Sequence, residues 1–419
     1  MGNRGVEIFF LVNYYGWNIL FEDEENNTLD NIFDRALHGK KIVRNQTVLN
    51  SDYIPNKLPF REKQISLIGQ SLAPILKGNK CSNLILYGKT GTGKTVVARY
   101  VTEKLFERAN NNDLKIRVAY SNTRMSNTGY RILLDLANAI GLNIPFTGLS
   151  IAEVLQRITN VISKNKYLVI FVLDEIDYFI KIHEDNLLYE LTRSYDKFKP
   201  GSLVVVGISN DLNFKEFLNP RVLSSLSEEE IVFSPYSAEE IKSILQDRAS
   251  IAFEEGTISQ AAINLCSALA GSEHGDARRA VDLLRIAGEV AERENASKLE
   301  EKHIRSAVQK IERDRIYDAL NSLPIQAKAL LIAVTNSNPN SKTGDIYEKY
   351  QKVCIKIGLE PLTQRRVSSI LSELDLLGVI SASVISDGRY GRTKKITCSV
   401  SQQIIREIYS KDQVLSILY

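Results

Sequence analysis

Cysteine is scarce in this chain, four in 419 residues, and Cys81, Cys266, Cys354 and Cys398 stand far apart with no C-x-x-C spacing. Such scattered thiols indicate neither a zinc site nor a disulfide framework, and they suit a reducing cytosol. A dominant charge is missing too. The 53 basic and 50 acidic side chains leave +3, so net charge names no partner. No long apolar run is present either. The N-terminal stretch from Ile8 to Phe21 carries Asn13 and Asn18, lacks a small-residue cleavage site and runs into Glu22-Asp23-Glu24-Glu25. It is too short to span a bilayer, so residues 1–41 read as an extra strand, a partner-docking segment or a disordered extension. No membrane partner is expected. With 44% apolar and 25% charged residues, the chain has the composition of a globular protein of two or three domains. Its positive excess lies late: from Arg313 onward 15 Lys/Arg face 10 Asp/Glu.

One glycine cluster carries the strongest signal. Residues 88–95 read Gly88-Lys89-Thr90-Gly91-Thr92-Gly93-Lys94-Thr95, followed by Val96. The apolar segment Leu84–Tyr87 precedes this G-x-x-x-x-G-K-T loop, and a helical pattern follows it. A strand feeding a glycine loop that ends at a helix N-terminus aims several N–H groups and the positive helix dipole at one spot. That arrangement binds the phosphates of ATP or ADP. Lys94 is placed to reach the β- and γ-phosphates, and the Thr95 hydroxyl to hold Mg²⁺.

Further segments of strand length follow at Ile116–Tyr120, Leu168–Leu173, Leu203–Ile208 and Glu230–Phe233. Strands alternating with helical patterns predict a parallel sheet sandwiched by helices, the α/β class. A long helical insertion, Gly129–Ile140, stops at Gly141. The run Leu168–Leu173 ends in Asp174-Glu175, two carboxylates at the sheet edge where the phosphate loop opens. Asp174 is the candidate to orient Mg²⁺ and Glu175 the candidate to polarise the attacking water. Asn210, after Val204–Ser209, reads either as a turn residue or as a contact to the γ-phosphate or lytic water.

Beyond Pro235 the patterns turn helical. Ser237-Ala238-Glu239-Glu240 is a capping box, and helices are predicted at about 259–269, 277–296 and 300–317. The last hundred residues read as three helices, Ile325–Val334, Thr343–Lys356 and Thr363–Leu377, then a hairpin of Val379–Ile385 and Lys394–Val400. This is the order of a winged helix-turn-helix. Gln364, Arg365, Arg366 and Ser368 open its third helix, and Arg389, Tyr390, Arg392 and Lys394 crowd the hairpin loop. A recognition helix and a wing reaching double-stranded DNA look so, although a solvated basic turn looks similar.

The sequence of boxes resembles the AAA+ ATPases, and within them the archaeal replication initiators related to the origin-recognition and cell-division-cycle ATPases. Asn219-Pro220-Arg221, Phe233-Ser234-Pro235-Tyr236-Ser237 and Gly275-Asp276-Ala277-Arg278-Arg279 carry this resemblance, from about Ile42 to Ile408. It implies an AAA+ base at 42–235, an all-α lid at 236–316 and a winged-helix domain at 317–419. It also implies that Arg278 contacts the γ-phosphate and that Tyr236 and Arg248 line the nucleotide. Tyr53-Ile54-Pro55 and Arg61 fall in a segment that packs near the adenine, and Arg221 matches a finger reaching a neighbour's nucleotide. Initiators touch DNA through an insertion at about 124–148, which makes Arg124 and Arg131 candidate phosphate contacts beside the reading of solvated surface arginines. The implied function is an origin-binding initiator that recruits or loads the replicative helicase, with slow ATP hydrolysis as a switch and a paralogous initiator as a candidate partner. A clamp-loader subunit and an ATP-gated winged-helix transcription regulator are the alternatives. The former usually carries a Ser-Arg-Cys box, and Ser224-Ser225-Leu226 is not one.

Overall fold

Successive residues of the apolar segments alternate between two buried faces, and this alternation builds a layered unit. The computed structural model describes Phe33 and residues 41–418 apart from 80, 184, 194–197, 227, 340 and 387–391. β1 (Asn83–Gly88), β2 (Ile116–Asn122), β3 (Leu168–Asp174), β4 (Ser202–Ser209) and β5 (Glu228–Phe233) form a parallel sheet in the order β2-β3-β4-β1-β5. Ile85, Tyr87, Phe171, Leu173, Leu203 and Val205 pack beneath the helices Gly129–Ala139, Ile151–Asn165 and Ile176–His183. Their neighbours Leu84, Leu86, Ile170, Val172, Val204 and Val206 pack under Glu62–Leu72 and Lys94–Asn110. A sheet covered on both faces needs near-continuous apolar strands, which is how these segments read. Each of the five strands expected for this sheet falls inside an observed one.

The parallel register brings the ends of β1, β3 and β4 together. Leu86 lies opposite Ile208, Val172 opposite Val206, and Asn122 at the end of β2 opposite Asp174. After β5 the chain is helical, in Ala238–Ala252 with its Ser237/Glu240 capping box, Gln260–Ser272 and Ala277–Arg293. One isolated parallel bridge, Ile258 with Leu299, interrupts a stretch expected to be all helix. The residues before the base domain strap onto these helices: the amides of Ile42 and Val43 both donate to Glu292 Oε1 at 2.9 Å.

The chain divides into two compact units, up to Ile304 and from Arg305 on. A single helix, Glu301–Ser322, runs through that division. The second unit holds the helices Ile325–Thr335, Thr343–Lys356 and Gln364–Leu376 and the antiparallel hairpin β7 (Ile380–Ser386) and β8 (Arg392–Cys398). A two-residue strand, β6 (Ser341–Lys342), pairs with β8 and completes a sheet ordered β6-β8-β7. Gly378, at φ 72°, provides the left-handed turn that ends the third helix. A fourth helix, Gln402–Tyr409, buries Ile405, Ile408 and Tyr409. Its Ser401 cap and apolar spacing were legible in the sequence but not read as an element. Among the described residues no helix is long and apolar enough to cross a membrane.

Candidate nucleotide site and winged-helix surface

The glycine loop folds as a cradle because its glycines permit two tight approaches. A Cβ at Gly91, where φ is +74°, would sit 1.8 Å from Asp276 Oδ1. At Gly93, with φ +93°, it would lie 2.8 Å from the Tyr236 hydroxyl. No other residue type fits either place. Thr92 is fully buried, its hydroxyl donating to Lys89 O at 2.8 Å, while Lys89 and Thr90 stay exposed at the tip. Lys94 is buried, and its amine donates to Gly88 O and Lys89 O at 2.8 Å and to Asn210 Oδ1 at 2.9 Å. Burial pushes this amine down to about 8, with Asp174 and Asp177 pulling it back up. Asn210 is thus brought to the loop, its own amide donating to Asp177 Oδ1 at 3.1 Å. Val96 sits half-buried on the following helix.

The paired acids occupy different surroundings. Asp174 is only 5% exposed, and its Oδ2 accepts from the Thr95 hydroxyl at 2.8 Å and the Tyr120 hydroxyl at 2.7 Å. Burial beside Asp174 pushes the Tyr120 phenol up to about 12, so it acts as a donor. A buried carboxylate and a hydroxyl converging on one point, with no cationic side chain bridging to that carboxylate among the described residues, are the oxygen donors that Mg²⁺ takes. The residues fit the ion. Glu175 is held at φ 55°, an uncommon left-handed conformation for a non-glycine residue. Its carboxylate lies 3.4 Å from Asn122 Nδ2 and 3.5 Å from Arg124 Nη1. The Thr123 hydroxyl donates to the carbonyls of Asp174 and Glu175, so the end of β2 braces both acids.

The lid closes the cradle from above. Ala277 N donates to Gly91 O at 3.2 Å, and Asp276 caps the helix Ala277–Arg293 by accepting from Arg279 N. Arg278 lies close enough to Lys94 for its charge to oppose that of the amine, whereas Arg279 turns away and pairs with Glu273. Tyr236 is buried against Gly93.

Two arginines of the implied site are engaged by main-chain carbonyls. Arg61 is buried and donates to three main-chain carbonyls, Thr92 O (2.9 Å), Phe60 O (2.8 Å) and Ser234 O (2.7 Å), while stacking 3.7 Å from the Tyr236 ring centroid. It ties the loop to the base of the lid. Arg248 donates to Val48 O and Tyr53 O and stacks on the Tyr53 ring, holding the half-buried Tyr53-Ile54-Pro55 segment to the lid. Buried carbonyls need donors, and a guanidinium supplies several at once.

Arg221 is exposed near the start of the helix Pro220–Leu226. Arg131 is exposed on the insertion helix, whereas Arg124 pairs with Glu175 and lies over the Tyr178 ring. In the second unit Gln364, Arg365 and Arg366 are exposed on the first turn of the third helix, and the Ser368 hydroxyl bonds back to Gln364 O at 3.0 Å. The Lys394 amine donates to Ser372 at 2.8 Å, so it pins β8 to that helix instead of reaching outward. Arg392 begins β8, and Arg389 and Tyr390 lie outside the described residues.

Three family models match in tandem: an AAA domain over residues 77–214, the Cdc6 AAA+ ATPase-type lid domain over 242–309, and the CDC6 C-terminal winged helix domain over 318–408. The ORC1-type DNA replication protein of Thermococcus onnurineus (strain NA1) is 46% identical over 399 residues, spanning 93% of this chain and 96% of that protein. The chain belongs to the ORC1-type DNA replication protein family. A relative from Sulfurisphaera tokodaii, named ORC1-type DNA replication protein 1, is also 46% identical, over 92% of this chain and 97% of its own. The solved structure of the Aeropyrum pernix ORC1 protein in complex with DNA superposes with a TM-score of 0.80 at 42% identity, covering 91% of this chain and all of that one. Base, helical lid and winged helix are therefore the ORC1-type arrangement of an AAA+ ATPase. Against that family frame three site residues went unread in the sequence: Asn122, Tyr120 and Asp276. Strand register finds the first, since β2 ends level with Asp174. Asp276 was legible only as a helix cap.

Proposed function

We propose that this chain is an ATP-dependent replication initiator that recognises origin duplex DNA and recruits or loads the replicative helicase, with slow hydrolysis as its switch. The observation that carries the nucleotide half is the convergence of Lys94, Thr95, Asp174, Glu175 and Asn210 at one sheet edge. In this reading residues 42–235 hold the nucleotide, 236–316 close over it and 317–419 bind DNA. Lys94 neutralises the β- and γ-phosphates, Thr95 and Asp174 hold Mg²⁺, and Glu175 takes the proton of the attacking water. The ion would draw charge off the transferred phosphoryl group. Asn210 orients the water, Arg278 senses the γ-phosphate from the lid, and Arg221 serves a neighbouring, identical or paralogous subunit. The site of action is the cytoplasm, on the nucleoid.

Chromosome-wide footprinting tests the initiator half. Occupancy confined to a few loci where replication begins is the expected result, and occupancy scattered over promoters would make the chain a transcription regulator.

The nucleotide half predicts a pH dependence. Lys94 sits at about 8 in the free chain. A bound triphosphate raises that value, so binding takes up a proton above it. ATP affinity should be flat at lower pH and fall by up to about tenfold per pH unit above about 8. Calorimetry in two buffers of different ionisation heat measures the uptake, expected to approach about one proton near pH 9. Zero uptake there would contradict a lysine that recharges on the phosphates.

A further inference from the structure

Three side chains from two helices converge on the turn that precedes the third helix of the second unit. Gln326, in the first turn of Ile325–Thr335, donates from Nε2 to Glu360 O at 3.0 Å. Its Oε1 accepts from the Tyr350 hydroxyl, and that same hydroxyl accepts from Leu362 N at 3.2 Å. Tyr347, one turn before Tyr350 on Thr343–Lys356, donates to Leu362 O at 3.1 Å. Tyr350 is fully buried and Tyr347 half-buried. The turn's groups at Glu360 and Leu362 are thus gripped by side chains, and Thr363 then caps the helix Gln364–Leu376.

The two ends of that helix are held by different forces. Val367, Ile370, Leu371 and Leu374 bury its later turns in the core. Apolar packing is non-directional, so it fixes depth better than rotation or axial position. The first turn, Gln364 to Arg366, is exposed, with its apolar anchors only at the flanking Leu362 and Val367. Hydrogen bonds weaken steeply with distance and angle. Reading a base edge therefore needs that first turn placed more finely than packing alone places it. The directional restraint next to it is the Gln326–Tyr350–Leu362 bridge with its Tyr347 brace.

We propose that Gln326, Tyr347 and Tyr350 are positioning residues that set the DNA sequence discrimination of the helix Gln364–Leu376 without touching DNA. This rests on the DNA-binding reading above. Tyr→Phe leaves every Lys and Arg in place, so it subtracts nothing from general attraction to phosphates.

The test uses the full chain and a duplex enriched by the wild type from a randomised library, compared with its scrambled counterpart by fluorescence anisotropy. Tyr347→Phe and Tyr350→Phe should each lower the ratio of the two affinities by about tenfold, the size of one lost base contact, with the scrambled duplex changed by less than about twofold. Amide exchange at Leu362 should quicken in both variants. An unchanged ratio in both would overturn the proposal, as would equal losses on both duplexes, which mark a damaged domain. Where Tyr350→Phe does not fold, Tyr347→Phe decides, because it deletes one bond from a half-buried ring. A wild type that enriches no duplex would overturn the DNA-binding reading itself, an outcome distinct from a variant effect.

Discussion

Replacing Glu175 by Gln is expected to cut ATP turnover by about 10²–10⁴-fold while ATP affinity stays within about threefold. The two acids at the end of β3 have separate tasks, and the geometry separates them. Asp174 is buried, with its oxygens committed to Thr95, Tyr120 and the Glu175 amide. Glu175 is half-exposed beyond it, contacted by Asn122 and by Arg124 at 3.5 Å. Gln keeps the size and can still accept from Asn122, but it cannot take a proton from water. Binding depends on the cradle and on Lys94, which the substitution leaves alone. Lys94→Ala should do the reverse and remove binding, because it deletes the buried amine held by the loop carbonyls of Gly88 and Lys89. Single-turnover hydrolysis with calorimetry on both variants separates the steps. Turnover by Glu175→Gln at the wild-type rate would take the role of base away from Glu175.

The Arg124 contact restrains the same carboxylate: an ion pair at 3.5 Å holds Glu175 to one side of the site.

How far the fold was legible follows from which forces shape each element. The strands were readable because burial on both faces leaves short apolar runs, as in Leu168–Leu173, that alternate with longer helical patterns. The capping box at Ser237 and the stop at Gly378 were readable because cap chemistry is local. The phosphate loop was readable since its glycines are dictated by close approach, although the approaching groups, Asp276 and Tyr236, come from the lid some 145 to 185 residues away, beyond the reach of local pattern.

Side-chain destinations were less legible than elements. Charge shows in a sequence, but unpaired carbonyls do not. The resemblance set Arg61 near the adenine and Arg248 along the nucleotide, and gave no sign that both serve as multiple donors to main-chain oxygen. Lys394 looked like part of a wing, and it is bound to Ser372. In each case a long basic side chain met a nearer acceptor than an external anion. The converse also holds: Asn122, an ordinary strand-end polar residue by pattern, stands beside Glu175 because parallel register puts β2 and β3 ends level.

Replacing Arg389 and Arg392 together by Ala should weaken binding to every duplex and flatten the salt dependence by about one to two units in log–log slope. The hairpin strands β7 and β8 pair from Ile380 with Cys398 to Ser386 with Arg392, so residues 387–391 connect their ends and Arg392 stands at the first pair. Arg392 therefore stands at the opposite end of the strand pair from Ile380 and Cys398. Each phosphate contact releases close to one condensed counterion, which fixes the size of the slope change. Replacing Arg365 in the exposed first turn should behave differently. Binding to a scrambled duplex should change little, while discrimination in favour of the preferred sequence falls by about 1–3 kcal/mol. The contrast separates contacts that place the protein on the backbone from contacts that read bases. Lys394→Ala is the internal control. Its amine is engaged by Ser372, so its loss should leave the salt slope within about half a unit of the wild type. Anisotropy titrations over a range of salt concentrations give all three slopes. An unaltered slope in the Arg389/Arg392 variant would remove the hairpin from the DNA interface.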